Sequence, residues 1–322
     1  MPSVKKNSFW PTMAMLLISV SWGASFSITK TAISYFEPEF VVFIRMLLGA
    51  LIFLLCWRHL KRTKVKRNDI PLLLLMILFE PCLFFLLESY ALGYTSASQA
   101  GMIVATSPLF TAVAAWIFLR EKPGLLMWLG FLVAIGGIFM LSFDAVVSET
   151  APNPVLGNIL EALSLCAGAG FIVCVKKLGA RYSPFFMAAV QAMGGTIFFL
   201  ILNIVRGTTI PTQFELTPVL CLLYLGIMVT FFGITAFNYG VSRLPAATSA
   251  GLLNLVPLFA VLFGALALGE ELKFMQWMAG GLVVLGVLIS QRAKVSKPVK
   301  PNSLPSPMPV STSEKKLQDL KL

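Results

Sequence analysis

A long stretch of this chain occurs twice, and both copies are made of apolar runs that no soluble core of this size could absorb. Residues 97–137 and 246–286 align without a gap. Ala97/Ala246, Pro108/Pro257, Leu109/Leu258, Phe110/Phe259, Leu119/Leu268, Glu121/Glu270, Trp128/Trp277 and Gly137/Gly286 are each 149 positions apart. Tyr90/Tyr239 extends that register upstream. Farther upstream the separation becomes 146, at Lys30/Lys176, Pro38/Pro184, Phe40/Phe186, Gly49/Gly195 and Phe53/Phe199. A duplicated series of membrane-length segments implies two structural repeats with a binding site between them.

Composition agrees. Hydrophobic residues make up 57% and charged residues 12% of the chain, against roughly 25% charged in soluble domains. The excess apolar surface has to face lipid. Cys56, Cys82, Cys166, Cys174 and Cys221 lie in or at the ends of apolar runs, without metal-ligand spacing, and read as small packing residues. The first 30 residues flow into further spans, so they are expected to stay as an anchor. A net charge of +11 invites a nucleic-acid reading. Its distribution argues against one: the cations sit in short connections between apolar runs.

About 20 apolar residues cross a bilayer core as a helix. The chain is therefore expected to be all-α, with ten spans near 10–30, 38–57, 70–91, 95–119, 123–142, 156–176, 184–206, 217–240, 245–268 and 274–291. Pro38, Pro71, Pro123 and Pro184 fall in first turns, where a missing N–H costs little. Pro108 and Pro257 fall mid-span and should loosen those helices. With the N-terminus inside, every lysine and arginine except Lys30, Arg45, Arg206 and Lys273 falls on the cytoplasmic side. That bias places both termini in the cytoplasm. Five spans per repeat make the second repeat inverted. The expected domains are a cytoplasmic N-terminus at 1–9, repeats at 10–142 and 156–291, and a disordered cytoplasmic tail at 293–322, rich in proline and serine.

The chain resembles the drug/metabolite transporter superfamily, and within it the EamA-type ten-helix transporters. The resemblance covers about residues 10–291. It is carried by Trp22-Gly23-Ala24-Ser25-Phe26 with Lys30, by Arg45 and Gly49, and by the Pro108…Glu121 and Pro257…Glu270 blocks, together with their order and duplication. It implies a fold of two inverted five-helix repeats, small-metabolite transport, commonly export, and a prokaryotic inner membrane. It names no substrate. The repeats differ where Gln191 stands opposite Arg45 and Phe237 opposite Glu88.

Charges inside hydrocarbon cost several kcal/mol and need a partner, water or a task. Glu80 and Glu88, eight residues apart in the third span, lie about 80° apart around a helix, so both can face one cavity. Arg45 lies in the outer half of the second span and Glu161 near the outer end of the sixth. These four are the candidate substrate-binding or coupling charges. Glu88 or Glu80 would couple a proton or bind an amine; Arg45 would bind a substrate carboxylate or hold a glutamate ionised. An Arg45–carboxylate pair that only locks helix packing is the alternative, and Glu161 could be merely hydrated. Trp22, Phe26, Phe84 and Phe85 could supply aromatic walls. Tyr90, Gln99, Asn238, Tyr239 and Asn254 would complete the pocket. Lys30 and Lys176 read as snorkelling anchors, and Glu121 and Glu270 as helix-end or loop-gating groups.

The pattern points to a secondary transporter moving an amino acid or related amphiphile by alternating access, driven by a proton or substrate gradient. No GxxxxGK[ST] motif or other cofactor site is found. A membrane enzyme would need a constellation that the sole histidine, His59, does not supply. A non-transporting receptor or scaffold is the remaining alternative. The expected partners are a small-molecule substrate and the lipid bilayer; a monomer and a homodimer both fit.

Overall fold

The computed structural model describes residues 9–60, 63–119, 124–143, 147–179, 181–208, 215–241, 243–244 and 252–292. Glu121 and the tail at 293–322 lie outside them, as do the side chains of His59 and Asn238. The described chain is helical. Helix α1 is Phe9–Ile33, α2 Pro38–Leu55, α3 Arg67–Tyr94, α4 Ala97–Val104, α5 Ser107–Leu119, α6 Leu125–Phe143, α7 Pro154–Leu178 and α8 Pro184–Arg206. Helix α9 runs through Leu216–Leu223, Tyr224–Gly233 and Ile234–Val241, followed by α10 (Val256–Leu268) and α11 (Phe274–Gln291). Among the described residues the only β feature is an isolated bridge between Ser148 and Ala151. Among the described residues, seven helices are long and apolar enough to cross a bilayer: α1, α2, α3, α6, α7, α8 and α9. Helices α4 and α5, bent by 41° at their junction, would make an eighth; α10 and α11 are shorter. The chain is a multi-pass membrane protein. Its leucine- and phenylalanine-rich outer faces, including Leu17, Leu132, Phe139 and Ile201, are exposed where lipid would lie.

Local chemistry sets the helix ends. Pro38, Pro154 and Pro184 occupy first turns, where the proline ring costs no hydrogen bond. Ser96, Asn153 and Ser183 accept the N–H groups of Gln99, Leu156 and Phe186 as N-caps. Gly207 and Gly269 close α8 and α10 in the left-handed conformation, each at φ 65°.

Irregularities recur at the repeat interval. The break between α4 and α5 falls at Ala105–Thr106, and a turn at Asn254–Leu255 precedes α10, 149 positions on. In each case the proline lies in the first turn of the helix that follows, so it starts a helix instead of kinking one. Both α3 and α9 carry a π-type segment, Leu78–Leu83 and Tyr224–Gly233. In α3 the cause is Pro81, which has no N–H and drives Glu80 to extended backbone at φ −146°, ψ 119°. In α9 the Thr230 hydroxyl donates to the Leu225 carbonyl five residues back, at 2.9 Å.

Helices α6 and α11 form the most extensive pairing, and it is built on glycine. A Cβ at Gly130 would meet the backbone of Gly286 and Ser290; one at Gly286 would meet that of Gly130 and Ala134; one at Gly137 would meet Ala279 and Val283. The 149-residue offset exchanges Gly130 with Ala279 and Gly137 with Gly286, so the pairing maps onto itself. Gly286→Val should overpack this contact and cost about 1–3 kcal/mol, read as a lower midpoint of thermal unfolding in detergent. Gly136→Ala, at a position with nothing within 4 Å of the new Cβ, should leave the midpoint unchanged.

Lys30 is not a snorkelling anchor. It is 8% exposed, and its ammonium donates to the carbonyl oxygens of Leu92 (2.9 Å), Thr150 (2.7 Å) and Thr95. These groups stand where α1 and α3 end, so one side chain ties three chain segments together at what we term the distal end. At the same end the Glu270 carboxylate accepts the Ala97 and Ser98 N–H groups, both at 2.8 Å. It thereby caps α4 from just past the end of α10. Lys30→Met would leave buried carbonyls without their donor, at about 1–3 kcal/mol. The expected outcome is a fall in thermal midpoint that Lys30→Arg partly restores.

Candidate functional site

A cavity of about 250 Å³ lies among the helices, lined by Arg45, Glu80, Glu88 and Gln191 and by a wall that includes Trp22, Phe26, Phe84, Phe171 and Phe237. Helix α7 contributes Leu165 to Val175, and α8 contributes Met187 and Gln191. These are the halves of α7 and α8 remote from the distal end. The charges come from α2 and α3; Phe84 and Phe85 lie beside them on α3, and α1, α7 and α9 add further rings.

Arg45 is 4% exposed. Its Nε donates to Thr230 Oγ1 at 3.3 Å, and its guanidinium lies over the Phe85 ring, 4.0 Å from the centroid. Both Glu80 and Glu88 act on it electrostatically. Neither carboxylate is within ion-pairing distance of it among the described residues. The arginine is thus held by a hydroxyl and a ring, with its charge still available. On the opposite repeat, Gln191 donates to the Glu80 carbonyl at 3.2 Å. The repeat-mates Arg45 and Gln191 therefore do related work: each reaches the π-type segment of the other repeat, Arg45 through Thr230 and Gln191 through Glu80.

The other sequence-selected residues go elsewhere. Tyr90 joins a distal knot. Its hydroxyl donates to Glu39 Oε2 at 3.0 Å, Arg206 Nε sits 3.0 Å from Glu39 Oε1, and Asn203 Nδ2 donates to the Glu39 carbonyl at 3.1 Å. Gln99 belongs to a buried network: the Thr95 hydroxyl donates to Asn158 Oδ1 at 2.8 Å, and Asn158 Nδ2 donates to Gln99 Oε1 at 3.1 Å and to Ser142 Oγ at 2.9 Å. Tyr239 is partly exposed, with the Arg243 guanidinium 4.2 Å from its ring centroid. Asn254 is exposed and borders a second cavity of about 440 Å³, between α4, α10 and α11. The lining of that cavity carries no charged residue, and exposed Leu258 and Trp277 flank it. Glu161 is fully buried in α7, against α3 and outside the lining of the first cavity. Among the described residues no group of His, Cys, Asp or Glu could hold a metal ion.

Sequence reasoning passed over Pro81, Thr230, Glu39 and Asn158. Pro81 carried a readable signal, since a proline directly after a glutamate inside an apolar run predicts a helix break at that glutamate. The ends remote from the distal knot are tied by Asp69, which pairs with Arg181 and accepts the Tyr182 hydroxyl at 2.8 Å, while that hydroxyl accepts the Lys66 N–H at 3.1 Å.

Comparison with known proteins shows what the chain is similar to. An "Uncharacterized transporter" of Archaeoglobus fulgidus is 25% identical over 86% of this chain and 96% of its own length. The "Uncharacterized transporter YcxC" of Bacillus subtilis is 26% identical over 91% of this chain and 96% of its own. A "Probable terminal-alkyne amino-acid exporter" of Streptantibioticus cattleyicolor is 24% identical over 88% and 94%. A solved crystal structure of a protein 14% identical superposes with a TM-score of 0.60, covering 87% of this chain and 96% of that one, which is a likeness of fold. The EamA-like transporter family matches residues 9–143 and again 156–291; this chain, matched twice along its length, belongs to that family.

Proposed function

We propose that the protein is a secondary transporter that exports a small zwitterionic amphiphile, an amino acid or close relative, through the Arg45–Glu80–Glu88 cavity. One observation carries the reading: a buried arginine with its charge unspent and two carboxylates share a cavity with an aromatic wall. An amino acid presents a carboxylate to Arg45, an ammonium to Glu88 or Glu80, and its side chain to the rings. The relative named as an amino-acid exporter has the same class of cargo in its name.

The proposed architecture is ten spans in two inverted five-helix repeats. Helices α4 and α5 together form one span, and α10 belongs to another. The self-mapping α6–α11 contact, the π-type segments at equivalent positions in α3 and α9, and the crossed Arg45 and Gln191 contacts support it. The basic bias puts both termini in the cytoplasm of a cell whose inner membrane holds the protein. The distal end then faces outward, sealed by Lys30, Glu270 and the Glu39–Arg206–Tyr90 knot, with the cavity on the cytoplasmic side of that seal. Transport requires the seal to open, and a gradient of protons or substrate supplies the energy.

Counterflow in proteoliposomes with a panel of amino acids and amines tests the activity. Glu88→Gln and Arg45→Gln should each lower flux about tenfold or more, the loss of one charge-assisted contact of about 1.5–3 kcal/mol, at unchanged folded yield. No counterflow with any member of the panel, or wild-type flux in both variants, would sink the reading.

Glu270→Ala should weaken the seal. In a cysteine-free background, Ser25→Cys lines the cavity and can be labelled by a membrane-impermeant thiol reagent from the distal side. Loss of a helix-capping carboxylate worth about 1 kcal/mol should raise the labelling rate about fivefold, and an unchanged rate would remove Glu270 from the gate.

A further inference from the structure

Glu161 is the least explained group in the molecule. Its side chain is 0% exposed, and neither carboxyl oxygen has a hydrogen-bond partner. Its neighbour across the helix pair has the same problem, since Ser89 Oγ is also buried and without a partner. The two lie at one level of the α3–α7 contact. Gly157 abuts Ala91 and Thr95, and Gly168 abuts Phe84, so the helices run antiparallel and Glu161 falls opposite Glu88–Ser89. Glu88 acts electrostatically on Glu161 and lines the cavity on its other side. Of the helices packed against α7, only α3 brings charges to this level. Glu80 and Arg45 bear on Glu88, α4 brings uncharged Gln99, α6 brings uncharged Ser142, and the described part of α5 carries no charged residue. Lys176 and Lys177 stand four turns away on α7 itself.

Counting charge decides what is missing. Glu80 and Glu88 act on one guanidinium, and Glu161 is joined to the group only through Glu88, so this buried cluster holds three carboxyl groups to one arginine. A bare carboxylate with no donor in an apolar interior is far too costly to persist, and two carboxylates at close range resist ionising together. We infer that Glu161, Ser89 and Glu88 form a buried site for one exchangeable proton, next to the substrate cavity but outside it. The proton reaches Glu161 from the cavity through Glu88: the Glu88 carboxylate accepts it from a hydronium ion, leaving water, and as a carboxylic acid passes it to the Glu161 carboxylate, which regenerates the Glu88 carboxylate. Ser89 Oγ, unpartnered at that level, then accepts from the protonated acid, while the buried Ser164 hydroxyl is committed to the Glu161 carbonyl at 2.7 Å. A substrate ammonium on Glu88 and the proton on Glu161 can be held at the same time, which a single shared carboxylate does not allow. This inference rests on the transport reading, naming the coupling group of that same site.

The proton itself is the probe. Infrared spectra of the purified full-length protein in lipid, titrated with pH, should show a protonated-carboxyl band that persists near neutral pH, disappears as pH rises and shifts in deuterium oxide. Glu161→Gln should remove that band, and Ser89→Ala should shift its position without removing it. The wild-type titration alone is decisive if a variant does not fold: without a titrating carboxyl band near neutral pH, the inference fails. It also fails if Glu161→Gln keeps the whole band. Replacing choline chloride by sodium chloride at constant pH should leave the band unchanged; loss of the band in sodium would assign the site to that ion and overturn the proton. None of these readouts needs a substrate. A failed counterflow panel with a normal titration would therefore count against the substrate reading alone, and a lost band with intact flux against this inference alone.

Discussion

Hydrocarbon offers no hydrogen bonds, so every charge placed among these helices has to find its counter-group inside the protein. The arrangement follows from that constraint. Lys30 is solvated by backbone carbonyls with Glu270 acting on it electrostatically, Glu39 is paired with Arg206 and accepts from Tyr90, Glu270 accepts helix amides, and Asp69 is paired with Arg181. Each of these groups sits near a helix end, where backbone groups are free or a loop can supply a partner. The cluster around Arg45 is different. It lies within the spans, its partners are a hydroxyl, a ring and a distant pair of carboxylates, and its charge does not balance. Satisfied charges hold the ends, and the unbalanced ones gather around the cavity.

The halves are alike in backbone and unlike in charge. Breaks, prolines and π-type segments recur at the repeat interval, and so do the second-helix residues that grip the opposite repeat. What does not recur is Glu88, whose counterpart Phe237 lines the same cavity. One half of the lining thus presents carboxylates and the other a ring, from equivalent positions.

Much of this was legible in the chain. Most apolar runs gave helices within a few residues of their observed ends, because run length and first-turn prolines are local signals; the run at 95–119 is instead two helices bent at Ala105–Thr106, and that at 245–268 has its described helix start at Val256. Glu80 and Glu88 do line one cavity, but not by the regular helical turn that their spacing assumed, since Pro81 breaks the helix at Glu80. Tyr90, Gln99 and Asn254 show where such reasoning stops. Their positions along a helix were clear, but whether a polar group turns to the cavity, a knot or a crevice depends on which helix lies beside it, and that is a long-range fact. Tyr90 found Glu39 and Arg206, from two other helices. Lys30 misled for the opposite reason. A lysine near a span end reads as an anchor until the carbonyls of Leu92, Thr95 and Thr150 are seen around it.

The glycine-lined contact between α6 and α11 has a mechanical consequence. Backbone meets backbone there at Gly130, Gly137 and Gly286, and the 149-residue offset maps the contact onto itself. A rearrangement that makes each half adopt the posture of the other would scramble most helix pairs, yet this one could pass through it with its neighbours in register. In such a motion α6 and α11 form an axle: the part of the molecule that turns without being taken apart.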